Sequence, residues 1–332
     1  MPIFSLEFED PLFCAAFHPE KNEFVLGLAT GTVSAYSYTL DGQDPKVLWA
    51  TKRHKSSCRS IGYTQDGEYV ISAGSDNVIK KALSGSGKVR AKAKLDVSPS
   101  AIAINEAYLA VGDDEGTLTV FDLENLKQTH QLKSLHEDCI TSVCALEFKN
   151  KYHFVVTGMT SLIHVDLRNG VVSTSEDQED EMLCGCVPSE QKSVFGMSEG
   201  VITIWNNDHL LDQQSRVRLS KESVDAVLAG EGEDTVVAGT SDGIVFDINI
   251  ISGKVIAKRT HSPLEEVSIL DWDNDYHLVS GSMGLLKLWN KDEVDPENKE
   301  ETAVKKKKKK GVRGKGKSAQ PTKKPKALFE DL

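Results

Sequence analysis

Residues 112–123 read GDDEGTLTVFDL, and this stretch decides the fold. It begins with a polar turn around Gly116 and continues with Leu118 and Val120 in alternation with Thr119. Alternation with a period of two is typical of a half-buried β-strand, and clusters of Gly and Asp mark the hairpin turns beside such strands. The stretch therefore predicts a turn followed by a strand that ends at an aromatic residue and an aspartate, Phe121-Asp122.

The same pattern recurs six more times along the chain. The copies read LATGTVSAYSY from Leu28, SDNVIKKAL from Ser75, TGMTSLIHVDL from Thr157, GMSEGVITIWN from Gly196, GTSDGIVFDIN from Gly239 and GSMGLLKLWN from Gly281. Their turn positions are Gly31, Asn77, Gly116, Thr160, Gly200, Gly243 and Gly284, about 42 residues apart on average. This is the period of a four-stranded propeller blade. We therefore expect an all-β fold, a seven-bladed β-propeller.

The two ends of the repeat region predict how the ring closes. The last unit has three strand segments, in 267–272, 276–280 and 285–290, before the polar sequence DEVDPENKEE. The segment Ile3–Phe8 precedes the first unit and is not assigned to any strand of that unit. We expect it to supply the missing fourth strand, so that no sheet edge stays open in the last blade. The predicted domains are a propeller at 1–292, an acidic linker at 293–304 and a disordered Lys-rich tail at 305–332.

Charge is distributed unevenly along the 332 residues. The formal net charge is −11, but residues 305–326 hold 12 basic residues and no acidic one, so the rest of the chain sums to −23. Such asymmetry indicates an interaction protein. No apolar run reaches the roughly 18 residues of a membrane span, and MPIFSLEFEDPLF lacks the basic start of a targeting peptide. We therefore expect a soluble intracellular protein that does not bind membranes and keeps its six cysteines reduced.

These repeats resemble the WD-repeat β-propellers. The pair that ends the third strand occurs as Phe121-Asp122, Val165-Asp166, Trp205-Asn206, Phe246-Asp247 and Trp289-Asn290. The histidine that precedes an innermost strand in this family occurs as His54, His136 and His261. The resemblance implies that each histidine bonds along its blade to a Ser or Thr, an Asp and the terminal Trp. The residues assigned to this structural role are His54, His136, His261, Asp122, Asp166, Trp205, Asp247 and Trp289.

A narrower resemblance is to the WD repeat-containing protein 55 family. It rests on GDDEGTLTVFD from Gly112, ESVDAVLA from Glu222, GTSDGIVFDIN from Gly239, HSPLEEVSIL from His261 and a polybasic stretch before LFEDL. The family is nucleolar, and its fungal members carry a Lys-rich tail. The resemblance implies a nuclear and nucleolar location and a part in ribosomal RNA processing or large-subunit assembly.

The basic tail has two functional readings that are compatible with each other. It can serve as a nuclear localisation signal, and it can contact RNA phosphates without base specificity. A third reading is a charged segment that only aids solubility. The tail residues concerned are Lys305, Lys306, Lys307, Lys308, Lys309, Lys310, Arg313, Lys315, Lys317, Lys323, Lys324 and Lys326.

An acidic segment is a candidate docking loop for basic proteins, with a solvated loop as the alternative. Its residues are Glu176, Asp177, Glu179, Asp180 and Glu181.

The remaining motifs predict structure rather than chemistry. All six cysteines fall in or beside predicted innermost strands, where small side chains suit a crowded ring, and their spacing is not that of a zinc site. The segment SGSGKV from Ser84 lacks the first glycine and the hydroxyl residue of a phosphate-binding loop. We expect no catalytic residues, no cofactor, no metal and no small-molecule substrate.

The sequence thus predicts a monomeric, non-enzymatic scaffold that binds pre-ribosomal or other nucleolar proteins. Two alternatives stay open. One is the substrate receptor of a cullin ubiquitin ligase, for which Arg168 follows Asp166 at the expected distance in one blade. The other is a chromatin-associated propeller that binds histones through the acidic loops.

Overall fold

The computed structural model describes residues 2–291. The predicted linker, the predicted tail and all twelve basic tail residues lie outside this range. Within it the chain folds into 28 β-strands, and no helix long and apolar enough to cross a membrane is found there.

The first strand, β1 (Phe4–Glu7), is followed by six consecutive sets of four strands and a final set of three. The first three sets are β2 (Leu12–Phe17), β3 (Glu23–Leu28), β4 (Thr32–Ser37) and β5 (Lys46–Lys52); β6 (Cys58–Tyr63), β7 (Tyr69–Gly74), β8 (Val78–Leu83) and β9 (Val89–Lys94); and β10 (Pro99–Ile104), β11 (Tyr108–Asp113), β12 (Leu118–Asp122) and β13 (Gln128–Leu132).

The other sets follow the same order along the chain. They are β14 (Ser142–Ala145), β15 (His153–Thr157), β16 (Leu162–Asp166) and β17 (Gly170–Thr174); β18 (Met182–Ser189), β19 (Lys192–Met197), β20 (Val201–Asn206) and β21 (Ser215–Arg218); β22 (Val224–Ala229), β23 (Thr235–Thr240), β24 (Ile244–Asn249) and β25 (Lys254–Thr260); and β26 (Ile269–Trp272), β27 (Leu278–Gly281) and β28 (Leu285–Leu288).

Each set of four is an antiparallel sheet, which we number blade 1 to blade 6 in chain order. Blade 7 consists of β26, β27, β28 and, as its outermost strand, β1, with Phe4 opposite Leu288 and Leu6 opposite Leu286. The first strand of each blade contacts the first strand of the next, and β26 contacts β2. The chain is therefore a seven-bladed propeller closed by its N-terminal strand, which confirms the predicted fold.

Burial across a blade follows the position of the strand. Second strands such as β3 and β7 are almost completely buried, because both of their faces pack against neighbouring blades. Outermost strands such as β9 (VRAKAK) alternate between exposed and half-buried residues. The hydrophobic core is thus a series of clusters between adjacent blades, as expected when each sheet buries both faces against its neighbours.

Five of the seven turns between second and third strands have a residue with left-handed backbone. The backbone angle φ is positive at Gly31, Asn77, Gly116, Gly200 and Gly243, all of which are predicted turn positions. At Gly243 a Cβ atom would lie 1.6 Å from the carbonyl oxygen of Ser262, so glycine is required there for space as well as for conformation.

Two strand ends differ from the sequence expectation. Phe246-Asp247 does not end its strand, because β24 continues to Asn249 and pairs there with Lys254. In blade 7, β28 ends at Leu288, so Trp289-Asn290 lies just beyond the strand. The terminal pair is therefore a position in the repeat rather than a strict end of the strand.

Candidate functional site

The propeller has two loop-bearing faces. The upper face carries the loops that join the second strand of a blade to the third and the loops that join each blade to the next. The lower face carries the loops that join the first strand to the second and the third strand to the fourth. The predicted structural histidines and the acidic loop lie on the upper face.

His54 joins the strands of blade 2 from the loop before β6. Its Nδ1 lies 3.0 Å from Asp76 Oδ1 and its Nε2 lies 2.9 Å from Ser72 Oγ. Burial lowers the pKa of His54, although Asp76 opposes this change. The neutral ring therefore acts as a bridge between a hydroxyl group and a carboxylate inside the blade.

His261 has the corresponding position in blade 7. Its Nδ1 lies 2.7 Å from Ser280 Oγ, and the indole Nε1 of Trp289 donates to the same oxygen at 2.7 Å. Burial lowers the pKa of His261 to about 4. In this blade the serine hydroxyl links the histidine to the terminal tryptophan.

His136 of blade 4 makes weaker contacts. Val156 stands where the other two blades have serine, so His136 Nε2 lies 3.3 Å from the Val156 carbonyl oxygen, and Ser161 Oγ lies 3.4 Å from Nδ1. The structure therefore places all three histidines at equivalent points but shows a complete Ser–His–Asp network in blade 2 only.

The aspartate and tryptophan residues that the sequence predicts at the ends of third strands make local contacts. Asp122 Oδ1 accepts from the Asn125 N–H at 3.1 Å, and the Trp205 Nε1 donates to Thr203 Oγ1 at 3.0 Å. Asp247 accepts from Arg259 Nη1 at 2.7 and 2.8 Å.

Asp166 and Arg168 form a bidentate pair at the end of β16, the third strand of blade 4. The Arg168 Nε and Nη2 donate to Asp166 Oδ1 and Oδ2, each at 2.9 Å. Hydrogen bonds from Arg168 hold the pKa of Asp166 well below its usual range. The arginine on which the ubiquitin-ligase alternative depends is thus bound to the neighbouring aspartate, with half of its side chain exposed.

A histidine pair in the same blade was not predicted. His153 Nδ1 lies 2.9 Å from His164 Nε2, between β15 and β16. Burial lowers the pKa of His164 to about 4 and also lowers that of His153. The alternating pattern of the sequence predicts that His153 and His164 each lie in a strand. It does not predict the register between β15 and β16, which brings the two rings together.

The acidic segment is divided between surface and interior. Glu176, Asp177, Glu179 and Glu181 are exposed, whereas Asp180 is buried. Asp180 Oδ1 accepts from Ser198 Oγ at 2.5 Å, and Asp180 Oδ2 accepts from the Glu199 N–H at 3.2 Å. Asp180 therefore holds the loop against blade 5, and the other four carboxylates of the segment are exposed at the surface.

The cysteines lie in or next to innermost strands, as the sequence predicts. Cys14 in β2 and Cys58 in β6 have their Sγ atoms 3.8 Å apart, and the other four lie in or beside β14 and β18. Burial raises the pKa of Cys144 to about 11 and raises those of Cys14 and Cys186 as well. Such thiols are poor nucleophiles at neutral pH.

The centre of the ring contains a cavity of about 310 Å³. Its lining comes from several innermost strands and includes Phe13, Ala15, Ile61, Ile102 and Val227, together with Arg59 and Asp225. Arg59 Nη1 donates to Asp114 Oδ2 at 2.7 Å on the upper face. Within 2–291, no group of three or more His, Cys, Asp or Glu side chains is arranged to hold a metal ion.

The lower face has an acidic cavity of about 590 Å³ between blades 2 and 3. Asp66, Glu106, Asp122 and Glu124 line it, and the Lys81 ammonium group donates to the Leu123 carbonyl oxygen at 2.8 Å. Burial lowers the pKa of Lys81. The sequence did not predict this cavity, because its residues come from separate loops that only the ring brings together.

Comparisons with known proteins agree with this architecture. The family model described as WD domain, G-beta repeat matches residues 45–81, from the outermost strand of blade 1 through three strands of blade 2. The chain is 31% identical to WD repeat-containing protein JIP5 of Meyerozyma guilliermondii, over 90% of this chain and 74% of the relative. It is 32% identical to the Eremothecium gossypii protein of the same name, over 89% and 70%.

The Saccharomyces cerevisiae protein of that name is 34% identical, over 78% of this chain and 58% of its own length. The JIP5 proteins are the yeast orthologues of WD repeat-containing protein 55, so the resemblance noted from the sequence is confirmed. The chain therefore belongs to the WD repeat-containing protein JIP5 family of seven-bladed β-propellers.

Proposed function

We propose that this chain is a non-enzymatic protein-interaction scaffold of the nucleolus that acts in ribosome biogenesis, in ribosomal RNA processing or large-subunit assembly. The observation that carries the scaffold role is the closed propeller. In it, the His, Ser and Asp side chains that could support catalysis instead form hydrogen bonds that link the strands of a blade. His54, Ser72 and Asp76 together could suggest a catalytic triad, but His54 and Ser72 are buried inside blade 2, Asp76 is half-buried, and their hydrogen bonds bridge the strands of that blade. Fold does not imply function, so the proposal also draws on membership of the JIP5 family.

The surfaces of the propeller support several simultaneous partners. Exposed carboxylates occur on the upper face at Glu176, Asp177, Glu179 and Glu181, and on the lower face around the cavity between blades 2 and 3. Such faces attract basic proteins and repel nucleic acid. We infer that basic pre-ribosomal proteins are the partners of the propeller.

The Lys-rich segment is proposed to direct the chain to the nucleus. Twelve basic residues between 305 and 326 match a nuclear import signal, and they can bind RNA by releasing counterions, without reading sequence. Import and any RNA contact are therefore separable from the propeller by truncation.

Affinity purification tests the division of roles. The intact chain is compared with a chain that ends at Glu301 and with a full-length control in which the twelve basic residues are replaced by Gln. Protein partners retained by all three belong to the propeller, and RNA lost from both altered chains belongs to the basic residues. The purified chains are added to a nucleolar extract, so that import plays no part, and loss of every protein partner with the truncation would then refute the scaffold role of the propeller.

Depletion in cells tests the pathway. We expect precursor ribosomal RNA to accumulate, and the wild-type chain to restore processing. Unchanged processing after depletion, or absence of the protein from pre-ribosomal particles and nucleoli, would refute the proposed role in ribosome biogenesis.

A further inference from the structure

The lower face has a second cavity, of about 510 Å³, between blades 6 and 7. Its rim is the loop that joins β22 to β23, including Gly230, Glu231 and Gly232, and its opposite wall holds Trp272 and Tyr276 of blade 7. This volume is in the range of sites that bind a small ligand or one large side chain of a peptide.

The aromatic wall is built and held in place. The Trp272 indole Nε1 donates to the Ala229 carbonyl oxygen at 2.7 Å, which ties this ring to blade 6. The ring centroids of Trp272 and Tyr276 are 6.4 Å apart, with their planes inclined by 52°. We call these two inclined rings, both of which line the cavity, the wedge.

Tyr276 occupies a backbone conformation that costs stability. Its φ is +59°, in the left-handed region where a bulky residue is unusual and glycine is unstrained. The turn is maintained by Asp273, which accepts from the Tyr276 N–H through its carbonyl oxygen at 3.0 Å and from the His277 N–H through Oδ1 at 2.7 Å. The tyrosine is nevertheless 56% exposed, so burial does not offset the strain. A strained, exposed aromatic side chain at a cavity is typical of a binding site.

The charges around the wedge favour a cation. Glu231, Glu233, Asp234 and Asp275 are exposed on the two loops that border the cavity, and Lys291 is the exposed cation among its described lining residues. At the floor, both Asp247 oxygens accept from Arg259 Nη1, and Arg259 Nε has no hydrogen-bond partner among the described residues. The floor is therefore neutral and polar, whereas the rim is acidic.

We propose that this cavity binds an arginine side chain of a basic segment in a partner protein. The guanidinium group stacks against the wedge of Trp272 and Tyr276 and donates hydrogen bonds to the carboxylate of Glu231. Arginine fits better than lysine, because a planar guanidinium combines stacking on aromatic rings with bidentate bonding to a carboxylate. This deepens the scaffold function by naming the chemistry of a partner, and it does not depend on the nucleolar location.

Fluorescence anisotropy with the full-length chain tests the site. The probe is a fluorescein-labelled peptide, Gly-Arg-Gly-Arg-Gly-Arg, compared with versions in which lysine, citrulline or glutamate replaces arginine. We expect the arginine peptide to bind tightest. Equal binding of the lysine or the citrulline peptide would overturn arginine recognition.

Tyr276→Gly separates binding from folding. We expect the variant to be at least as thermally stable as the wild type, because glycine relieves the strain, while its affinity for the arginine peptide falls about three- to tenfold. Glu231→Gln should lower the affinity as well. Phe13→Ala, which removes an exposed aromatic ring outside this cavity, is the matched control and should bind like the wild type.

Unchanged affinity of Tyr276→Gly would overturn the proposal, because non-specific attraction to the acidic surface would then explain all binding. That result would leave the processing and localisation tests of the scaffold function unaffected, so the two failures can be told apart.

Discussion

Closure of the ring by β1 is a feature whose energetic contribution can be measured with one substitution, Phe4→Ala. Phe4 is 4% exposed and lies between blades 7 and 1, with its ring centroid 5.9 Å from that of Phe24 and 5.6 Å from that of Tyr38. Truncation of a buried phenylalanine to alanine costs about 3–5 kcal/mol, from lost transfer free energy and the cavity left behind. Because β1 is a short edge strand that can relax, we expect the lower end, about 3 kcal/mol.

The adjacent Ser5 provides the control. Ser5 is exposed on the same strand and pairs with Lys287, so Ser5→Ala should change the free energy of unfolding by less than about 0.5 kcal/mol. Both variants keep the main-chain bonds of β1, including the one from the Ile3 N–H to the Leu288 carbonyl oxygen at 2.7 Å. The comparison therefore isolates the side chain that packs across the closure.

Equilibrium urea unfolding is the assay, followed by tryptophan fluorescence and by far-ultraviolet circular dichroism. Two of the four tryptophans, Trp272 and Trp289, lie in or next to strands of blade 7, to which β1 is paired, and Trp49 and Trp205 lie in blades 1 and 5, so fluorescence follows blade 7 together with other parts of the ring. Coincident transitions would justify a single free energy of unfolding. If Phe4→Ala and Ser5→Ala unfold within about 0.5 kcal/mol of each other, the reasoning that packing at the closure stabilises the ring is wrong.

Three further predictions follow from single residues. First, the pKa of His261 is about 4 in the folded state and about 6.5 when unfolded, so the unfolded chain binds more protons between these values and stability falls as pH drops from 6.5 to 4. Urea unfolding at pH 7.5 and pH 4.5 measures how much of the free energy of unfolding is lost between these pH values, and His261→Asn should reduce that loss by about 2–3 kcal/mol. The same loss in the variant and the wild type would contradict the lowered pKa of His261. The comparison with wild type is needed because Asp271, whose pKa burial raises to about 6, acts with the opposite sign. Second, Gly243→Ala should destabilise the protein far more than Gly170→Ala in the same thermal assay. Both glycines have positive φ, but a Cβ at Gly170 meets no atom within 4 Å, whereas at Gly243 it meets a carbonyl oxygen; equal effects would show that conformation alone matters. Third, iodoacetamide at pH 8 should alkylate Cys139 first, since Cys14, Cys58 and Cys144 are buried, and burial raises the pKa of the other two partly exposed cysteines, Cys184 and Cys186, well above its usual range. Peptide mass mapping with time checks the order, and earlier labelling of Cys14 would contradict the packing of the inner ring.

The sequence by itself determined the number of blades, the order of strands within each blade and the partner of the N-terminal strand. These features are local: turns such as Gly116 and Gly243 occur at a regular period, and alternation marks each strand between them. The positions of the cysteines on innermost strands follow from the same periodicity.

Side-chain direction and contacts between blades were decided only by the tertiary structure. Sequence reasoning treated Asp180 as one of five equivalent acidic residues, but its carboxylate turns inward to Ser198 on the next blade. It also did not pair His153 with His164, which the register of β15 and β16 brings together.

The cavity between blades 6 and 7 shows most clearly why the sequence alone does not predict contacts between blades. Its walls come from Glu231 and from Tyr276, residues 45 positions apart in the chain that no local pattern connects. They become neighbours because seven blades pack radially into a closed ring and bring corresponding loops to the same face. Periodicity along the chain therefore specifies the blades, whereas the surfaces between blades, where recognition takes place, exist only once the ring has formed.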